Sequence, residues 1–157
     1  MSVAGVNVGW GNQEQIAGYS QPDSVGRQVF APGDISDSGV FDPTDKVDCL
    51  GFRHVEFIIR VTTNPSITRI DCKFEFSELA SPSDATDSDW AVIQSQSVAT
   101  GIATLSDYTT QKDVSAFLAP FTIAVSTPVR ARWMRLLISA GAGAGAGSVV
   151  EINAIRR

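Results

Sequence analysis

A chain of 157 residues is the size of one domain and long enough to bury a proper core. At 43% hydrophobic and 18% charged, it carries less charge than the roughly one-quarter typical of soluble proteins, which suits an all-β protein with much of its surface buried against neighbours. The net charge of −5 and the lack of any Lys/Arg run argue against a nucleic-acid partner; the nearest approach is Arg130, Arg132 and Arg135, with Arg130 and Arg132 on one strand face.

The chain begins without a charged n-region and apolar h-region, and no apolar stretch approaches the length of a membrane span. Folding in a cytoplasm, with no membrane partner, is the expectation. Residues 1–24 are rich in Gly, Asn, Gln and Ser, with isolated Val6, Val8, Trp10, Ile16 and Tyr19 and no sustained helix or strand period. Such a segment reads either as a disordered tail or as an extended arm that orders against something else. A lone tryptophan in a polar tail has the character of an anchor, so these five residues are the candidate partner-binding set, with Trp10 foremost. An arm folding back on its own domain is the competing reading.

Two short strands, Arg27–Ala31 and Ile35–Phe41, are expected on either side of a Pro32-Gly33 turn, followed by the polar link Asp42-Pro43-Thr44-Asp45. Next comes the clearest pattern in the chain. Val55, Phe57, Ile59 and Val61 alternate with His54, Glu56, Arg60 and Thr62; Ile70, Cys72, Phe74 and Phe76 alternate with Arg69, Asp71, Lys73 and Glu75. Strand side chains point to opposite faces in turn, so each stretch buries one side. The link Thr63-Asn64-Pro65-Ser66 carries turn chemistry and predicts that the two strands form a hairpin. On that geometry Cys49 and Cys72 are too far apart for a disulfide and stay reduced and buried.

Residues 81–89 are a loop by composition, Trp90–Val98 a weakly alternating strand, and Gly101–Gln111 ambiguous. Asp113–Leu118 reads as a single helical turn capped by Asp113, and Phe121–Val125 returns to strand. Arg130–Ser139 and Val149–Ile155 form a second expected hairpin, joined by the Gly/Ala run 141–147 as a mobile or packed tip. Many strands with little helix indicate an antiparallel β-sandwich or jelly roll over residues 25–157.

No pattern carries catalytic chemistry. The glycine run has Ala146 where GxGxxG needs glycine, and no helix follows to meet a phosphate. His54 lies on a polar strand face with no local triad partner, and one histidine with two separated cysteines gives no zinc spacing. Asp84, Asp87 and Asp89 lack the calcium-loop pattern, and Asp34, Asp37, Asp42, Asp45 and Asp48 scatter over turns, where Asp satisfies local backbone. Trp90 and Trp133 read as core or interface rather than a sugar platform. No catalytic residue, metal ligand or cofactor is expected.

One resemblance goes further. From Ser36 to Arg157 the chain runs Asp37-Ser38-Gly39-Val40-Phe41, then Phe52 through Val61, then Phe74-Glu75-Phe76-Ser77 through Asp87-Ser88-Asp89-Trp90. It closes with Arg132-Trp133-Met134-Arg135-Leu136-Leu137-Ile138, a glycine-rich turn and Val149-Val150-Glu151-Ile152. This order of strands and loops resembles the small β-sandwich decoration, or cement, proteins of tailed bacteriophage capsids. The resemblance implies a non-enzymatic virion protein, a homotrimer on the outer capsid surface that binds the major capsid protein and stabilises contacts between shell subunits. A phage tail or fibre module, or a carbohydrate-binding sandwich, is the alternative; the closing strands also resemble discoidin-like jelly rolls.

Overall fold

The computed structural model describes residues 21–157, which contain twelve strands, one 3₁₀ turn at Asp87–Asp89 and no α-helix. The strands are β1 (Arg27–Gly33), β2 (Asp42–Pro43), β3 (Val47–Asp48), β4 (His54–Thr63), β5 (Arg69–Ser77) and β6 (Ala91–Val92). They continue as β7 (Gln94–Ala99), β8 (Ile102–Asp107), β9 (Thr109–Asp113), β10 (Phe121–Pro128), β11 (Trp133–Ala142) and β12 (Val149–Arg156). One sheet has the order β10-β4-β12-β1; the other has the order β9-β5-β11-β2, with β3 also on β11 and β6 also on β5. All pairings between these strands are antiparallel, and the expected β-sandwich is the observed architecture.

The alternating residues build the core as their periodicity requires. Val55, Phe57, Ile59 and Val61 on β4 are all 0% exposed, and Ile70, Cys72 and Phe74 on β5 are buried opposite them. Met134, Leu136, Ile138 and Ala140 on β11 and Val150, Ile152 and Ala154 on β12 complete the interior. Burying an aliphatic or aromatic side chain of this size contributes about 1.5–3 kcal/mol, so these two facing layers dominate stability.

Both expected hairpins are overturned. β4 and β5 do not pair, and neither do β11 and β12; each pair is split between the sheets. A hairpin would set both apolar faces on the same side of one sheet. Here each link rolls over as an arch, so the two faces meet across the core. Asn64 closes the first arch, accepting from the Ile67 N–H at 2.8 Å and donating to its carbonyl at 3.0 Å. The second arch, residues 143–148, packs on the first: Ser66 Oγ donates to the Ala144 carbonyl at 3.1 Å and accepts from its N–H at 3.2 Å. The Gly/Ala run is therefore packed, and small for a reason. A Cβ at Gly143, whose φ is +82°, would overlap the Ser66 carbonyl, and one at Gly145 would overlap that of Ile35.

Four further expectations change. Ile35–Phe41 forms no strand, only an isolated bridge between Asp37 and Ala140, because Asp42 instead accepts from the Ser36 N–H and hydroxyl at 2.6 and 2.8 Å and folds the segment on itself. Pro32 and Gly33 finish β1 rather than turning the chain, which an edge strand tolerates. Asp113–Leu118 is a non-helical turn in which the Asp113 carboxylate accepts from both the Ser115 N–H and its hydroxyl, at 2.8 and 2.6 Å. β11 starts at Trp133, so Arg130 and Arg132 precede the strand rather than sharing one of its faces.

Candidate interaction surface

β6 and β9 lie along the same side of β5, facing Phe76–Glu75 and Lys73–Arg69 respectively. Between them the chain leaves the sheet, runs out as β7, turns at Thr100-Gly101 and returns as β8. Positive φ values of 52° and 78° at those two residues fit the turn type whose twist suits a two-residue hairpin. The register, from Gln94 opposite Asp107 to Ala99 opposite Ile102, is unbroken. Every side chain of β8 is exposed, Ile102 by 66% and Leu105 by 62%. Ambiguity in the sequence here has a cause: a ribbon wet on both faces needs no alternation.

The hairpin's root is held by charge. Lys73 Nζ lies 3.0 Å from Asp107 Oδ2, and this hydrogen bond holds the Asp107 carboxyl below its usual range, helped by Gln94 and opposed by partial burial. A two-stranded ribbon alone is marginal in water, and its outer edges offer unpaired N–H and C=O groups.

Beside the root, the sandwich is open. Among the described residues β9 pairs only with β5 and β10 only with β4, so two strand edges face one gap. One hollow of about 400 Å³ lies between Thr110–Lys112 and Thr122–Val125, with Phe117 at its end. A second of about 270 Å³ continues along Ser126–Pro128 to Phe74, Ile93 and Tyr108. The two hollows are lined by Thr122–Pro128 of β10, with half-buried Ile123 and Val125 in the wall of the first.

The opposite face of the β5–β11 sheet is covered by the 78–90 loop, organised by one buried cation. Arg135, 1% exposed, donates through Nε to Glu75 Oε2 at 2.6 Å and through Nη1 to the Asp84 carbonyl at 2.7 Å. Its guanidinium lies 4.4 Å from the Trp90 ring centroid, and Trp90 Nε1 donates to the Ser83 carbonyl at 2.8 Å. An arginine amid the apolar residues of β11 was the signal that a partner had to cover it. Asp84, Asp87 and Asp89 thus serve the loop: Asp84 accepts from the Lys46 N–H, Asp87 reaches Arg135 at 3.4 Å, and Asp89 accepts from the Ser83 N–H.

The chain matches no protein-family model and no curated protein. Its chemistry must be read from its own residues. His54 is exposed on β4. Cys49 and Cys72 are free, buried, and pushed up to about 12 chiefly by desolvation, so neither is a thiolate nucleophile at neutral pH. No group of three or more His, Cys, Asp or Glu side chains among the described residues is placed to hold a metal ion. No helix of the described residues is long and apolar enough to cross a membrane. Val6, Val8, Trp10, Ile16 and Tyr19 lie outside the described residues.

Proposed function

We propose that this chain is a virion structural protein of the capsid-decoration kind: a homo-oligomer, by resemblance a trimer, that binds the outer surface of the major capsid protein and stabilises contacts between shell subunits. The observation that carries the reading is the 94–107 hairpin, which stands away from a well-tied sandwich with Ile102 and Leu105 exposed. Adhesion uses such a ribbon well, because its edges accept a partner strand and its exposed Ile102 and Leu105 offer apolar contact to a partner. The rigid body behind it supplies a platform, and the role needs neither cofactor nor reaction.

The test is co-sedimentation of the purified protein with assembled, expanded bacteriophage capsids and with their unassembled shell subunits. Binding to the assembled shell, lost on Leu105→Ser with Ile102→Ser, supports the reading. Absence of capsid binding together with retention on immobilised glycans overturns it in favour of the sugar-binding alternative.

A further inference from the structure

We propose that the outward face of the β10-β4-β12-β1 sheet is a contact between two copies of this chain. A two-fold axis crosses the strands at Ile58, with Arg60 of each copy opposite Glu56 of the other. The contact does not rest on the capsid reading. His54, Glu56, Ile58, Arg60 and Thr62 form the outward row of β4, and Ile58 is its one apolar side chain. Ile58 is half-buried, as is Ile155 on the same face of β12, while Arg60 is exposed. The other sheet hides its outward side: Asp71, Glu75, Arg135 and Ser139 are all buried. Here the outward side chains of β10, Thr122, Ala124 and Ser126, are small and exposed, so a flat second surface can approach closely.

Register fixes what meets what. Ala124, Ile58, Asn153 and Gln28 form one row across the sheet. On one side of it lies the row Thr122, Arg60, Glu151; on the other lies the row Ser126, Glu56, Ile155. A two-fold axis along the central row reverses strand direction and so exchanges the outer two. Ile58 then packs on Ile58 of the second copy, Ala124 on Ala124, and each Arg60 faces a Glu56. Outward residues recur about every 6.6 Å along a strand, so the two charges stand equally far from the axis on opposite sides. An axis running along β4 instead would set Arg60 on Arg60 and Glu56 on Glu56, which like charges oppose. Glu56 Oε1 accepts from Arg157 Nη2 at 2.9 Å, which leaves Oε2 for a second cation. Glu151, the neighbour of Arg60 in register, accepts instead from Gln28 and Asn153 at 3.0 and 3.3 Å. Four strands of about eight residues present a face of about 19 by 26 Å, roughly 1,000 Å² over both copies. That is about the least a specific interface buries, so the association is weak.

The experiment is sedimentation equilibrium of the isolated full-length protein at low ionic strength, from micromolar to millimolar concentration. The same is done for Arg60→Glu, Glu56→Arg and the two combined, with circular dichroism confirming the fold of each. The parent is expected to double in mass as concentration rises. Each single reversal sets like charges face to face and should weaken that doubling by about tenfold or more, and the combined exchange should restore it. Ile58→Lys, which places two cations at the axis, should abolish it. A parent that never doubles, or a largest assembly with an odd number of copies, overturns the proposal. So does doubling that is equal in the parent and both single reversals, or a loss that the combined exchange does not restore. Because no shell is present, this outcome is separate from the capsid test.

Discussion

The two long sides of the sandwich are finished differently. On the β1 side the chain crosses between sheets and ties them: the Asp45 N–H donates to the Val29 carbonyl at 2.8 Å, the Thr44 N–H to that of Leu136 at 2.8 Å, and Ile35 and Cys49 fill the space between. On the β10 side the edges of the described strands stay apart, with two hollows between them and a hairpin with exposed Ile102 and Leu105 beside them. Closing an edge consumes its backbone groups, whereas leaving one open keeps them for another strand. Stability and contact therefore occupy different sides of one small domain.

That division can be broken by substitution. The largest effect is expected at the covered face, where Glu75→Ala leaves Arg135 buried without its carboxylate and costs about 3–5 kcal/mol by urea unfolding. A loss under 1 kcal/mol would mean that the 78–90 loop yields to water easily. Next comes Gly143→Ala, whose overlap with the first arch and left-handed backbone together cost about 2–4 kcal/mol, read as a lowered melting temperature.

A smaller effect concerns acid. The Asp23 carboxyl is held below its ordinary 3.8, first by the side-chain hydrogen bond from Arg156 against partial desolvation. A carboxyl titrating lower when folded than when unfolded stabilises the fold fully above about pH 4 and loses that contribution as pH falls through the folded value. Asp23→Asn should therefore cost about 1 kcal/mol or less at pH 7 and nothing near pH 2; a cost that persists at pH 2 would point to packing rather than charge. The smallest effect is expected on the open side. Leu105→Ser should change unfolding free energy by no more than about 0.5 kcal/mol while weakening partner binding, so a marked loss of stability would show the hairpin to be part of the core.

How much of this was legible follows from what alternation can report. Residues 54–62 and 69–76 announce strands because one side of each meets the core, and the core they name is the one observed. Residues 102–107 announce nothing, since both faces meet solvent. Arg135 is visible as an anomaly on β11, but its partners Glu75 and Trp90 stand 60 and 45 positions away, and no local spacing pairs them. Val6, Val8, Trp10, Ile16 and Tyr19 stand out as apolar residues in a polar tail, and they lie outside the described residues.

Taken alone, the amino-acid order determined that this chain is all-β and which apolar side chains of residues 54–62 and 69–76 face the core, because those properties depend on each strand's own period. Tertiary structure decided which sheet each strand joins. An arch and a hairpin present the same alternation, and only the meeting of two apolar layers, with Gly143 and Gly145 allowing the arches to touch, selects between them.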